Sequence, residues 1–200
     1  MMRNYLVIAE SGFSGVSFGY TICLELSENI IWFFSENPLT IRRIIESYNS
    51  KPNIQTFSSR NFNIANLNEI NIILSKTIDS YRGDISVYLS LISELILVHG
   101  LEKTYLFLSN LMNKVEGREG SVVCLMIKDA QSMRDIVLIS RLFSDVFHLE
   151  SEFNDDKPSL RLKSEMPINE KFIFEVGYSD YEIHMPGEVR HYISQLKKQK

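Results

Sequence analysis

Tyr5-Leu-Val-Ile-Ala-Glu-Ser-Gly-Phe-Ser-Gly-Val-Ser-Phe-Gly-Tyr20 is the stretch on which the fold turns. Tyr5 to Ala9 is a continuous apolar run of strand length, Gly12, Gly15 and Gly19 bend the chain, and a helix is predicted from about Ser17 to Leu26. A phosphate-binding loop of the form G-x-x-x-x-G-K-[ST] has this layout: its backbone N–H groups cradle phosphates, its lysine reaches the terminal ones and its hydroxyl residue holds magnesium. In the matching window, Glu10-Ser-Gly-Phe-Ser-Gly15-Val16-Ser17, Gly15 and Ser17 are in place. Glu10 replaces the first glycine and Val16 replaces the lysine. A valine brings no charge to a triphosphate, and a carboxylate at Glu10 would repel it. The three glycines are equally compatible with an ordinary strand-to-helix turn.

Outward from this stretch, strand-type and helix-type segments alternate. Ile30–Ser35 and Ile54–Phe57 read as strands, with a helix from Leu39 to Tyr48 between them. Continuous apolar runs such as Ile30-Ile-Trp-Phe-Phe34 suit parallel strands covered on both faces, with Trp32 in the core. Leu67, Ile70, Ile73, Leu74 and Ile78 repeat at helical spacing over residues 66–81, ahead of a stop at Gly83. The pattern continues with a strand at Ile85–Ile92, a helix at Glu102–Val115, a strand at Ser121–Ile127, a helix from the cap Ser132 to Phe143 and a short strand at Val146–Leu149. After about residue 155, the runs Ser159–Ser164, Lys171–Val176 and Tyr181–Met185, separated by Pro167, Gly177 and Pro186-Gly187, read as antiparallel hairpins. Val189, Tyr192, Ile193 and Leu196 place a small amphipathic helix at the end, and Lys197–Lys200 reads as a frayed terminus. The predicted class is α/β: a three-layer α/β/α sandwich with a mostly parallel central sheet and C-terminal antiparallel hairpins.

Two hundred residues, 44% hydrophobic and 23% charged, are expected to form one core domain spanning 1–200. A formal net charge of -4 disfavours a general nucleic-acid or anionic-membrane binder and leans towards protein partners. Cys23 and Cys124 sit in apolar runs and read as buried thiols of a reducing compartment. No leader-like segment or bilayer-length apolar run stands out, so a cytoplasmic location with no membrane partner is expected. His99, His148, His184 and His191 show no metal-ligand spacing, so no metal site is expected, and no G-x-S-x-G elbow occurs. The 9 tyrosines and 12 phenylalanines fall mostly within apolar runs, without the interleaved lysine and arginine of a base-stacking surface.

The element order, with a degenerate Walker A loop after the first strand and hairpins at the end, resembles the RecA superfamily, particularly archaeal KaiC-like ATPases and RadA paralogues. The likeness spans nearly the whole chain. Trp32-Phe-Phe-Ser-Glu-Asn-Pro38 looks like that family's second core strand, so the resemblance puts Glu36 at the position that polarises the attacking water in active relatives. Read from the sequence alone, Glu36 is equally a solvated loop acid or a helix N-terminal carboxylate. Residues 81–95 resemble a Walker B strand in which Ser90 matches the family's serine and Leu89 replaces its metal-holding aspartate, while Glu94 and Asp84 lie off register. Lys103–Asn110, Arg141–Leu149, Pro158–Lys163 and Tyr181–Gly187 look like further parts of the KaiC-like core. As a departure from that family's recombinases, the sequence is expected to lack an N-terminal DNA-binding domain and a strand-donating segment. The short connection Lys128-Asp-Ala-Gln-Ser132 stands where recombinases place a DNA-gripping loop.

These observations lead to an expected pseudo-ATPase. It has no catalytic residue beyond the vestigial Glu36, a vestigial loop at Glu10, Gly12, Gly15, Val16 and Ser17, and no cofactor. It acts by binding a protein, expected to be a RecA-family relative, in homologous recombination or DNA repair, as a homo- or hetero-oligomer. One alternative is an ATP-binding protein or weak ATPase with a non-standard site, Glu36 as base and Arg42 or Arg43 facing phosphate. Another is a DNA-binding recombination accessory subunit.

Overall fold

The computed structural model describes residues 3–154, 157–165 and 171–197; the separator expected at Pro167 and the end expected at 198–200 lie outside them. The elements in chain order are β1 (Tyr5–Ala9), α1 (Phe13–Leu26), β2 (Asn29–Phe34), α2 (Pro38–Ser47), β3 (Asn53–Ser58), α3 (Leu67–Ser80), β4 (Ser86–Leu89), α4 (Ile92–Glu116), β5 (Ser121–Ile127), α5 (Met133–Ser140), β6 (Asp145–Asn154), β7 (Lys157–Glu165), β8 (Lys171–Ser179), β9 (Glu182–His184) and α6 (Gly187–Lys197). The strands form a nine-stranded arrangement in the order β3-β2-β4-β5-β1-β6-β7-β8-β9. From β3 to β6 neighbours pair in parallel, and from β6 to β9 they pair antiparallel. The α/β class and the closing hairpins are as expected.

Period-two alternation along the buried strands sends neighbouring side chains into two separate cores. Ile31, Phe33, Val87 and Leu89 pack with α3, α4 and α5 on one face. Trp32, Phe34, Tyr88 and Leu125 pack with α1, α2 and α6 on the other. Trp32 is fully buried, as its apolar run predicted. Short polar caps start the helices: Asn37 Oδ1 accepts from the Leu39 N–H (3.0 Å) ahead of Pro38, Asn66 Oδ1 from Glu69 (3.2 Å), and Ser132 Oγ from Asp135 (3.2 Å).

Several boundaries differ from the sequence reading, among them β6, expected as the short strand Val146–Leu149 and observed over Asp145–Asn154. Helix α1 starts at Phe13, not Ser17, so only residues 10–12 connect it to β1. Strand β4 ends at Leu89, and the apolar run that continues from Ile92 is the first part of α4, which breaks at Gly100 (φ 78°, ψ 166°) before running on to Glu116. An unbroken apolar run has no period to separate a buried strand from a buried helix. Helix α5 ends at Ser140 instead of Phe143.

Helix α1 is buried from Gly15 through Cys23, covered by the sheet on one side and by α6 and β9 on the other. A helix enclosed this way need not be amphipathic, and α1 is not. It lies so close to the sheet that a Cβ at Gly15 would come 2.5 Å from the Ala9 Cβ, and one at Gly19 would come 2.3 Å from the Tyr88 hydroxyl. At the base of the sheet, Asp145 accepts from the Tyr192 hydroxyl (2.6 Å) and faces Arg3 (3.4 Å), which ties the N-terminus and α6 to the start of β6. Gly19→Ala should lower stability by about 2 kcal/mol, because the clash with a rigid buried tyrosine exceeds alanine's better helix propensity. Urea unfolding would show this as a lower midpoint at unchanged slope, and a variant as stable as the parent would contradict the close approach.

Candidate functional site

In open α/β sheets, ligands bind outside the carboxyl ends of the parallel strands. Two groups of residues singled out in the sequence lie there. The first is the β1–α1 turn. Its Gly12 has φ +140°, a conformation that other residues rarely adopt, and caps α1 without any side-chain hydrogen bond. Gly15, Val16 and Ser17 are all inside the helix. Val16 is 3% exposed and packs into the core, and its carbonyl accepts from the buried Tyr88 hydroxyl (2.9 Å). Ser17 is fully buried; its Oγ lies 2.7 Å from the Tyr48 hydroxyl and donates to the Tyr181 carbonyl. Glu10 turns sideways to β6, where its carboxylate accepts from the Ser151 hydroxyl and, at 3.4 Å, from the Ser151 N–H. Phe13 packs edge-on against Tyr181 (5.3 Å) and Tyr178 (6.4 Å). Glu10, Gly12, Phe13, Ser151 and Tyr178 line a shallow cleft of about 220 Å³.

Tyr48, at the end of α2, is the hub that the sequence did not reveal. Its hydroxyl meets Ser17 Oγ and Thr21 Oγ1, each at 2.7 Å, and accepts from the Ile183 N–H at 3.0 Å. The hydroxyl that a phosphate loop would offer to magnesium is thus bonded to α2 and to the residues entering β9.

The second group closes β2 and β4. These strands pair in parallel with Phe33 opposite Leu89, and the Ser90 N–H donates to the Phe33 carbonyl (3.0 Å), which brings Ser90 and Glu36 side by side. Ser90 Oγ donates to Glu36 Oε2 (2.9 Å) and accepts from Trp32 Nε1 (3.2 Å). The Ser35 N–H also donates to Glu36 Oε2 (3.1 Å), while Ser35 Oγ donates to Glu94 Oε1 (2.7 Å). Glu94, in the first turn of α4, leaves its Oε2 buried with no partner among the described residues. Burial raises the Glu36 pKa to about 7 against the opposing hydrogen bonds from Ser90 and the backbone, and the nearby Glu94 charge adds to the rise. Glu94, which seemed off register in the sequence, therefore joins the group because α4 begins eight residues after Asp84. Leu89 is 1% exposed and points into the opposite core, on the α3–α4 side.

The remaining candidates are dispersed. Arg42 pairs with Glu46 on the outside of α2 (2.7 Å). Arg43 donates to the Tyr181 hydroxyl (3.3 Å) and lies over its ring. Lys128 pairs with Glu150 (3.0 Å), whose pKa falls to about 2 under Lys163 and Lys128. His99 bonds the Ile64 carbonyl, His184 (β9) bonds Ser179 of β8 and His191 bonds Gln195 within α6; among the described residues no group of three or more histidines, cysteines or acids could hold a metal. Cys23 and Cys124 are buried free thiols, and burial holds their pKa values high. Among the described residues no helix is long and apolar enough to cross a membrane.

A sheet in this strand order, covered by helices on both faces and closed by antiparallel hairpins, is a RecA-like fold. Among solved structures the chain is similar to the KaiC-like protein PH0186 from the hyperthermophilic archaeon Pyrococcus horikoshii OT3, with a TM-score of 0.62 and 13% identity over 92% of this chain and 89% of that one. No family model matches the sequence, and no curated protein matches it either.

Two substitutions test this geometry. Val16→Lys places an ammonium group in the α1–sheet core and should cost about 4 kcal/mol of stability, the equivalent of three pK units for a buried lysine. Unfolding at parental denaturant concentration would mean that position 16 faces solvent. Glu36 binds its proton more tightly in the folded chain, so its stabilising contribution is complete below pH about 4.5 and is lost as pH rises through about 7. Stability measured against pH should therefore fall less across that window in Glu36→Gln than in the parent; parallel curves would exclude a raised pKa.

Proposed function

We propose that this chain is a RecA-like protein that works without nucleotide and acts by binding another protein. The observation that carries this reading is the β1–α1 turn. A phosphate cradle is built from the backbone N–H groups of an extended loop, but here three residues join strand to helix and the rest of the motif is wound into α1. The valine in place of lysine is in the core, and the serine hydroxyl is bonded internally. Glu10 adds a carboxylate at the mouth. The Glu36–Ser90 pair is then a remnant of the family's catalytic corner, held by Trp32 and next to Glu94, with Leu89 turned away from it.

On this reading the KaiC-like fold supplies shape and the partner supplies chemistry. The partner best matched to the resemblance is a RecA-family relative acting in recombination or DNA repair. Calorimetric titration with ATP and magnesium should give no saturable heat, and micromolar magnesium-dependent binding would overturn the nucleotide-free reading. Affinity purification from the native cell extract should enrich a RecA-family ATPase. Recovery of nucleic acid alone, with a salt-sensitive shift of single-stranded DNA, would move the assignment to DNA binding.

A further inference from the structure

Helices α4 and α5 carry apolar side chains where solvated helices normally carry polar ones. Leu106 is 55% exposed, Met133 71% and Val137 46%. On the part of α4 that precedes the Gly100 break, Leu97 is 84% exposed and Val98 45%. Exposed apolar residues gathered on two adjacent helices mark an interaction surface more often than isolated ones do. Between the helices runs a groove of about 320 Å³ with Leu101, Tyr105 and Leu106 on one wall and Leu138 on the other.

The charges on this groove select its occupant. Glu102 stands on the α4 wall and Arg134 on the α5 wall. Both are exposed, and among the described residues neither takes part in an ion pair or hydrogen bond. An acidic partner segment would suit Arg134 and oppose Glu102, and a basic one would do the reverse. A second copy turned by a two-fold axis satisfies both, because Glu102 of each chain then faces Arg134 of the other.

We propose that the α4–α5 groove is the face through which two copies of this chain form an isologous dimer. The apolar walls supply the affinity. The two exposed pairs contribute little energy each and fix the register. The proposal is independent of the nucleotide reading, since it uses neither the β1–α1 turn nor the Glu36 group.

Sedimentation velocity over loadings from micromolar to hundreds of micromolar tests it. The parent should move from monomer to dimer with concentration, and Leu106→Glu, at an exposed position that should leave the fold intact by circular dichroism, should stay monomeric. Glu102→Arg and Arg134→Glu should each weaken dimerisation about tenfold by placing like charges opposite one another, and the double exchange should recover it. A parent that remains monomeric at every loading overturns the proposal, including the case in which the groove takes a different protein. A dimer unaffected by Leu106→Glu, or one whose double exchange is no better than the single variants, overturns it as well.

Discussion

The close seating of α1 on the sheet governs most of what this structure can do. Gly15 and Gly19 leave no room for even a methyl group against Ala9 and Tyr88, so the helix axis sits near the strands and its whole middle is desolvated. Desolvation is offset because most inward groups are apolar or bonded, although the buried Tyr20 hydroxyl has no partner among the described residues. Tyr88 reaches the Val16 carbonyl, Thr21 Oγ1 donates to the Ser17 carbonyl, and Tyr48 collects the two hydroxyls. A helix held so tightly begins early, and an early start consumes the residues that would otherwise form an open loop. The shortness of the β1–α1 turn is therefore a packing result as much as a matter of local sequence.

The fold was largely legible because its signals are long and redundant. Continuous apolar strands at Tyr5–Ala9, Asn29–Phe34 and Ser121–Ile127 required cover on both faces, and the alternation with helical spacing left a parallel sheet as the consistent arrangement. Boundaries failed where that redundancy ran out. Phe13-Ser-Gly-Val16 has weak helix formers and reads as loop, but burial against the sheet overrides propensity. The stretch from Ser86 to Ile96 carries apolar residues on both sides of Ser90, Ser93 and Glu94 with no glycine or proline, so nothing in it marks the point where strand gives way to helix.

The candidate site was half legible for a related reason. Glu36 and Ser90 were each singled out by the resemblance, but only the parallel pairing of β2 with β4 puts them side by side. Glu94 is off register with the Walker B acid position in the sequence; the helix that starts at Ile92 puts it in its first turn, within reach of Ser35. Tyr48 had no signal at all. An aromatic at the end of an amphipathic helix is ordinary, and its role follows from tertiary contacts with α1 and Ile183 that no local pattern encodes.

The central place of β1 has a consequence for how the chain is made. Tyr5 pairs with Val123 on one side and with Asp145 on the other, so β1 finds neither neighbour until β5 and β6 have been synthesised. The Arg3–Asp145–Tyr192 clasp then waits for α6. Such sequence-distant pairing slows folding and leaves an oily early segment uncovered for the length of translation. Slower elongation therefore lengthens the interval in which β1 has no pairing partner, however stable the finished molecule.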